Sequence, residues 1–201
     1  MIKVVPESAV LIPDSATLKY SGEIFSVYTW PQKLYSGETA TFEMLMRRDT
    51  VTAFCLVDNK LIVLDDEQPC RGKKKTLPGG QVDSSDDSTL DSVKREVEEE
   101  TGYSFKNWKL VKVRQPYTKI EWFIYVYVAW EQTAKKPADP GPGEKIDLSL
   151  VSLADFKDLI NFKNNVLTEN YDLVENVNSL DELTNLSEFK GKQINRTLAQ
   201  V

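Results

Sequence analysis

Histidine is absent from the 201 residues of this chain. Its absence excludes catalysis by Ser-His-Asp or Cys-His groups, and it excludes zinc sites built on histidine. Acid–base chemistry would therefore have to come from carboxylates, lysine, tyrosine or a water activated by a metal ion. The two cysteines, Cys55 and Cys70, are too few for a disulfide framework, and we expect Cys55, in an apolar strand, to lie in the core.

Long apolar runs are also missing. No stretch is long enough to cross a bilayer, and the first residues, MIKVVPESAVLIP, lack the pattern of a signal peptide. We therefore expect a cytoplasmic protein without a membrane partner. The net charge of −6 argues against nucleic acid as a partner, because such binding depends on clustered lysine and arginine. A small anionic substrate fits this charge balance, since a metal ion and a few local cations can dominate a pocket.

The stretch from Gly79 to Tyr103 contains the residues that point to chemistry. Ser88, with Asp91 three residues later, approximates a capping box and predicts the start of a helix. Gly102 predicts the end of that helix, because glycine tolerates the positive φ of a helix C-terminus. One face of the helix is predicted to be buried through Leu90, Val93 and Val97.

Three glutamates of the same helix, Glu96, Glu99 and Glu100, fall at positions i, i+3 and i+4 and gather on one strip. Three like charges so close repel one another unless something neutralises them. A solvated acidic face is one interpretation. A bound divalent cation is the other, because Mg²⁺ and Mn²⁺ prefer carboxylate and water oxygens. The glycine pair before the helix and Arg95 within it favour the cation.

The combined pattern resembles the signature of the Nudix hydrolases, in which a glycine, five residues, a glutamate and seven residues precede REUxEExGU, with U a bulky apolar residue. Gly80 and the segment REVEEETGY, Arg95 to Tyr103, match it here. The resemblance implies an α+β fold, an α/β/α sandwich with a mixed sheet between helices. It also implies that Glu96, Glu99 and Glu100 hold Mg²⁺ or Mn²⁺ at a metal site that includes Gly80. Arg95 would orient a glutamate by an ion pair.

Two departures from the signature fall in the loop before the helix. The middle glutamate is replaced by aspartate, and the spacing is one residue too long. Asp86 keeps the spacing from Gly80, whereas Asp87 keeps the spacing to Arg95. Because a helix fixes the phase on its own side while a loop can absorb an insertion, we prefer Asp87, which is also a candidate substrate-binding residue.

Strand patterns in 22–31 and 39–47 predict a hairpin ahead of the hydrolase core, and this arrangement resembles the ADP-ribose pyrophosphatase branch of the family. We expect residues 1–48 to form an N-terminal β segment, residues 49–160 the Nudix core, and residues 161–201 a C-terminal helical extension. In that branch the N-terminal segment packs across a homodimer and helps to hold the adenine, which makes Trp30 a candidate substrate-binding residue.

Further residues are candidates through the same resemblance. Arg71 stands where the branch has an arginine that meets the diphosphate of the substrate, with an exposed loop arginine as the alternative. Glu144, at the end of a loop rich in proline and glycine, is the candidate general base, and Asp139 is the alternative. Trp122 or Tyr125 could stack on a base, although core packing is the commoner fate of a strand aromatic. The lysine run 73–75 is expected in a solvated loop, although it could attract phosphates.

The resemblance implies divalent-metal-dependent hydrolysis of a diphosphate linkage in a nucleoside diphosphate derivative, with ADP-ribose or another nucleotide sugar favoured. Water would attack one phosphorus, and Glu144 or a helix glutamate would take its proton. Two alternatives stay open. One is a Nudix enzyme for a nucleoside triphosphate, a dinucleoside polyphosphate, NADH or coenzyme A. The other is a Nudix-fold module that senses a nucleotide without turning it over.

Overall fold

The computed structural model of this chain describes residues 2–69, 72–141, 143–161 and 166–195. Strands in this part of the chain are β1 (Ile2–Val5), β2 (Thr17–Ser21), β3 (Ser26–Lys33), β4 (Thr39–Met46), β5 (Thr50–Val57), β6 (Lys60–Gln68), β7 (Gly72–Thr76), β8 (Tyr103–Arg114), β9 (Ile120–Glu121), β10 (Ile124–Lys135), β11 (Lys145–Val151) and β12 (Lys192–Asn195). Helices are α1 (Thr89–Thr101), α2 (Leu153–Asn161), a 3₁₀ helix (Val166–Asn170), α3 (Tyr171–Val174) and α4 (Leu180–Thr184). None of these helices is long and apolar enough to cross a membrane.

A mixed sheet with the strand order β11-β6-β5-β10-β8 forms the centre of the fold, and β7 pairs with β6 beside it. β5 and β10 run parallel, whereas the other neighbours are antiparallel. The first half of β10, from Ile124 to Ala129, is buried on both faces, as expected for a strand covered on both sides. Val93 and Val97 of α1 pack on one face of the sheet, and Phe156 and Ile160 of α2 pack on the other. The predicted α/β/α sandwich is therefore confirmed.

The predicted N-terminal hairpin is formed by β3 and β4, which pair antiparallel. β2 extends this sheet on one side, and β9 adds to it in parallel on the other. Because Ile120–Glu121 joins this second sheet while Ile124 opens β10, the chain passes from one sheet to the other at this point. β9 and β10 are therefore separate strands that belong to different sheets.

The C-terminal segment packs on the core through apolar residues of its short helices, Leu167, Val174, Leu180 and Leu183, which are all buried. This agrees with the predicted helical extension, although the segment also contains a strand. β12 pairs antiparallel with β1, so the two ends of the described chain form a small sheet together. The division into three parts at residues 48 and 160 stays a prediction.

The prediction of a solvated loop for the lysine run is wrong, because residues 73–75 belong to β7 and pair with β6. Lys73 Nζ lies 3.7 Å from Asp65 and 3.5 Å from Asp147, and Lys75 Nζ lies 3.0 Å from Asp65. Opposite charges on neighbouring strands stabilise such a pairing. The acidic residues of β6 and β11 therefore allow a run of lysines to form a strand.

A buried ion pair fixes β1 to the start of the core. Lys3 Nζ lies 2.6 Å from Asp49 Oδ2, and the two side chains are 5% and 0% exposed. The same carboxylate accepts the backbone N–H of Phe123 at 3.0 Å. Asp49 thus joins three separate segments of the chain at the edge of the central sheet.

We expect Lys3→Met to lower the free energy of unfolding by about 3–5 kcal/mol, because the substitution leaves Asp49 as a buried charge without its cation. Urea denaturation measures the change. Lys106→Met is the matched control, since Lys106 Nζ contacts Glu131 at 3.0 Å but its side chain is 68% exposed. The control should cost no more than about 1 kcal/mol. Equal losses in the two variants would contradict this account of Asp49.

Candidate active site

The glycine pair lies flat against the start of β5. The carbonyl oxygens of Pro78 and Gly80 accept the N–H groups of Ala53 and Val51, both at 2.9 Å. Gly79 has φ +148°, and a Cβ at this position would lie 2.1 Å from the Val51 oxygen. Only glycine fits between the loop and the strand in this conformation. The loop is therefore held against β5 by backbone contacts.

The same loop contacts two glutamates of α1. The N–H of Gly79 donates to Glu100 Oε2 at 2.7 Å. A Cβ added to Gly80 would lie 2.4 Å from Glu96 Oε2, so the missing side chain makes room for that carboxylate. Gly80, predicted at a metal site, is thus beside Glu96, while its own carbonyl is engaged by Val51.

The local signals for α1 are confirmed. The Ser88 side chain accepts the N–H of Asp91, and Gly102 ends the helix with φ +72°. The predicted strip of glutamates, however, is divided between two directions. Glu96 and Glu100 face the glycine loop and are largely buried, whereas the Glu99 side chain is 46% exposed.

Arg95 holds the outer part of this acidic group. Its guanidinium lies 2.9 Å from Glu96 Oε1 and 3.1 Å from Glu99 Oε2, and it donates to the Gln81 carbonyl at 3.1 Å. The ion pair predicted between Arg95 and a glutamate is therefore present. Hydrogen bonds to Asp86, and after them the Glu96 carboxylate, raise the pKa of the Arg95 guanidinium further, so it stays charged.

Asp86, and not Asp87, makes the inner contact in the loop. Both Asp86 oxygens accept from Arg95, at 3.3 and 3.1 Å, and its side chain is 8% exposed. Burial alone would raise the pKa of Asp86, but hydrogen bonds from Arg95 and Ser92 outweigh it and lower the pKa. Asp87 is exposed. Our preference for Asp87 as the counterpart of the family glutamate stays a prediction, while Asp86 closes a turn in which its Oδ2 accepts the N–H of Asp83 at 2.9 Å.

A cleft of about 560 Å³ opens in front of the glycine loop. Its acidic wall includes Asp66, Glu100 and Glu144. The side-chain amide of Gln68 bridges Asp66 and Glu144. Its nitrogen donates to Asp66 Oδ2 and to Glu144 Oε1, both at 3.4 Å. Glu144, the candidate base, is therefore in the cleft. Asp66 was not anticipated, although the acidic pair that ends the apolar run of β6 was a usable signal.

Asp139, the alternative base, lies elsewhere. Its N–H donates to the Glu99 carbonyl at 2.8 Å. Asp139, Glu99 and Arg95 line a separate, outer concavity of about 330 Å³. The structure thus brings Glu96, Glu100 and Glu144 together and leaves Glu99 and Asp139 on the outer side of α1.

The inner carboxylates are electrostatically unfavourable as they stand. Burial raises the pKa of Glu100 well above its ordinary value, the N–H of Gly79 opposes this, and Glu96, Glu144 and Asp66 add to it. Burial also raises the pKa of Glu96, although Arg95 opposes the shift. Several acids in one low-dielectric site cannot all ionise without a counter-charge. A bound cation or a set of protons would relieve this repulsion.

The opposite side of the cleft is cationic and aromatic. Arg47, Arg114 and Trp122 line it. The Arg47 guanidinium lies 4.5 Å from the centre of the Trp122 ring, and the indole N–H donates to Thr50 Oγ1 at 3.0 Å. Trp122 therefore holds Arg47 in place at the cleft, a role that strand periodicity alone did not indicate.

Trp30, a predicted substrate-binding residue, is not among the residues that line this cleft. Trp30 is 9% exposed and packs in the cluster of the N-terminal sheet, with its ring edge-to-face against Phe42 at 6.2 Å. Its indole N–H donates to Gln32 at 3.0 Å. Arg71 lies outside the described residues, so its predicted contact with a diphosphate stays a prediction.

In the part of the chain that the structure describes, no three acidic or cysteine side chains converge closely enough to hold a metal ion by themselves. The chemistry of the donors nevertheless suits a hard cation. Mg²⁺ is commonly held by one or two carboxylates, with water and substrate phosphate oxygens completing its shell. The inner glutamates fit that partial kind of site.

Comparisons with known proteins agree with this geometry. The sequence matches the model of the NUDIX domain over residues 46–171. A crystal structure of an ADP compounds hydrolase has a TM-score of 0.61 and 19% identity, and the match covers 79% of this chain and 91% of that one. A crystal structure of a MutT NUDIX hydrolase from Burkholderia pseudomallei has a TM-score of 0.44 and 24% identity, and that match covers 53% of this chain and 84% of the other. No curated protein matches the sequence. At these identities, the first structure shows the shared fold alone.

We expect Glu100→Gln to stabilise the metal-free protein, and more strongly as the pH rises. The raised pKa means that the folded state favours protonated Glu100, so wild-type stability is lost as pH rises above the unfolded value of about 4.3. Glutamine keeps the acceptor for Gly79 and carries no charge. Urea denaturation in chelator between about pH 5 and pH 8 measures the difference. A difference that is constant or shrinks with pH would contradict it. Glu98→Gln controls for loss of a glutamate from α1.

Proposed function

We propose that this chain, which belongs to the NUDIX domain family and is a pyrophosphohydrolase, uses a divalent cation to hydrolyse the diphosphate linkage of a nucleoside diphosphate derivative. One observation carries the proposal most directly. Glu96 and Glu100 meet the glycine loop at the acidic wall of a cleft that also contains Glu144. Buried carboxylates with raised pKa values in a cleft are typical of a functional site.

The substrate class follows from the two walls of the cleft. The acids on one side can hold a cation that also binds the phosphates. The arginines on the other side can donate hydrogen bonds to phosphate oxygens directly. A nucleoside diphosphate linked to a sugar offers both kinds of group along its length. The similar fold of an ADP compounds hydrolase supports ADP-ribose or another nucleotide sugar as the substrate.

Mg²⁺ or Mn²⁺ is the proposed cation, held by Glu96, Glu99 and Glu100 as the signature implies. When bound, it supplies charge neutralisation for the diphosphate and makes water a better nucleophile. Arg95 fixes the orientation of Glu96 and Glu99 through its ion pairs at 2.9 and 3.1 Å. Glu99, now on the outer side, would need a side-chain rotation to share an ion with Glu100.

Glu144 is the proposed acceptor of the proton from the attacking water. Its carboxylate lies in the cleft and is anchored by the Gln68 amide at 3.4 Å. Asp139, engaged through its backbone on the outer side of α1, has no comparable position. The chain therefore offers Glu144 as the acid–base group within reach of a substrate in the cleft.

Other expectations also stay proposals. The N-terminal sheet exposes the apolar side chains of Leu18, Tyr20 and Ile24, which would suit a homodimer formed across that sheet. A cytoplasmic location agrees with the small nucleotide substrate.

A substrate panel tests the activity. Purified protein with Mg²⁺ or Mn²⁺ is incubated with ADP-ribose, other nucleotide sugars, nucleoside triphosphates, dinucleoside polyphosphates, NADH and coenzyme A, and products are separated by chromatography. We expect ADP-ribose or a nucleotide sugar to give a nucleoside monophosphate and a sugar phosphate in equal amounts. Preference for another compound would change the substrate, and nucleotide binding without any product would favour the sensing module.

We expect Glu96→Gln, Glu99→Gln and Glu100→Gln each to lower kcat by at least about 100-fold, because each removes a charge that helps to hold the cation. Steady-state kinetics on the best substrate of the panel measures this. Glu98→Gln is the matched control on the same helix, since Glu98 pairs outward with Lys136. Near wild-type turnover in the Glu100 variant would show that the metal site is misplaced.

A further inference from the structure

The C-terminal segment supplies part of the cleft wall. Leu167, Glu169 and Asn170 of the 3₁₀ helix line the cleft together with residues of the central sheet. Leu167 is fully buried in the core cluster shared with α2 and β10. The segment is thus a fixed component of the site, although it lies far along the chain from the glycine loop.

Contacts with β8 hold this wall in position. Arg114 forms an ion pair with Glu169. Lys112 Nζ lies 2.6 Å from Asp172 Oδ1 and donates to the Glu169 carbonyl at 3.1 Å. Lys112 and Arg114, two residues apart on β8, therefore bind both side chains and the backbone of the segment.

Asn170 is the unexplained residue of this wall. Its side chain is 7% exposed, and its carboxamide oxygen has no hydrogen-bond partner among the residues that the structure describes. Asparagine at the first residue before a helix ordinarily caps that helix, but Asn170 makes no such bond to α3. An unpaired buried acceptor costs about 1–3 kcal/mol. Neither packing nor capping accounts for an asparagine at this position.

The groups around Asn170 indicate which kind of hydrogen-bond donor would pair with its carboxamide oxygen. A carboxamide oxygen accepts hydrogen bonds, and an ionised diphosphate has no hydrogen to donate. Arg114 and Arg47, which line the same cleft, each have a buried Nε donor without a partner in the described chain. The phosphates would be bound by the arginines directly and by the acidic wall through the proposed cation. An N–H or O–H group of the neutral part of the substrate is therefore the suitable partner for Asn170.

We propose that Asn170 is a specificity-determining residue, whose carboxamide oxygen accepts a hydrogen bond from a neutral donor of the substrate outside the diphosphate. The inference rests on the proposed function, since it assumes a nucleoside diphosphate derivative in the cleft. The donor is a base amino group or a sugar hydroxyl, and both have the same chemistry. A site built around a buried polar group rejects analogues that leave the group unpaired.

The test compares substrates within each variant, so that the fraction of folded enzyme cancels. kcat/KM is measured for ADP-ribose, for the analogue with unsubstituted purine in place of adenine, and for analogues that lack one ribose hydroxyl. We expect the wild type to discriminate by about 10-fold or more against one analogue. Asn170→Leu, similar in volume but without an acceptor, should abolish that discrimination. Asn170→Asp keeps an acceptor oxygen and should retain it.

The analogue that loses its disadvantage identifies the donor as base or sugar. Discrimination that is the same in the wild type and in Asn170→Leu, for every analogue, would overturn the proposal while leaving the hydrolase activity in place. If Asn170→Leu does not fold, Asn170→Ser is measured in the same way, since its shorter side chain cannot reach the same donor.

If the wild type hydrolyses neither these compounds nor any nucleotide sugar of the substrate panel, the proposed function fails and binding decides the role of Asn170. Calorimetric titration then compares AMP, purine riboside monophosphate and ribose 5-phosphate between the wild type and Asn170→Leu. Loss of a binding preference in the variant would support the proposal, and unchanged relative affinities, or no binding by the wild type, would overturn it.

Discussion

The hydrogen bond from the Gly79 N–H to the Glu100 carboxylate, 2.7 Å long, joins the three parts on which the site depends. The glycine loop is held against β5 by backbone bonds, and Glu100 lies on the buried side of α1. A side chain at Gly79 would collide with Val51. Because loop, strand and helix meet at this contact, Glu100 is fixed among the acids of the cleft.

This arrangement has an electrostatic cost. Arg95 contacts Glu96 and Glu99, whereas the charge of Glu100 is favoured chiefly by a single backbone N–H and opposed by burial and by neighbouring acids. Sites that sacrifice stability in this way are common where function requires a particular charge. The proposed divalent cation would supply the positive charge that the inner carboxylates lack. The arginines on the opposite wall complete a cleft with both signs of charge.

Short sequence patterns predicted those elements whose formation depends on residues close together in the sequence. Ser88 and Gly102 bound α1 as capping rules require, and the apolar face of the helix is the one that periodicity indicates. The signature residues also identified the glutamates that contact the loop. The alternation of β3 and β4 was enough to predict their pairing as a hairpin.

What the sequence did not reveal depends on contacts between distant segments. The inner contact of Asp86 is set by a turn that returns to Asp83 and by the reach of Arg95. The lysines of β7 form a strand because acids of β6 and β11 lie opposite them. Asn170 is brought to the cleft by ion pairs with β8, and no local pattern marks it. Tertiary contacts of this kind override propensity and composition.

Binding of Mn²⁺ to the protein without substrate tests the central claim most directly, because it does not depend on knowing the substrate. Electron paramagnetic resonance counts free Mn²⁺ during a titration of the wild type, Glu100→Gln and Glu98→Gln. We expect saturable binding by the wild type and by Glu98→Gln, and an affinity at least about 10-fold weaker in Glu100→Gln, since one charged ligand is lost. Equal affinity in all three proteins would contradict a metal site at the contact between α1 and the glycine loop.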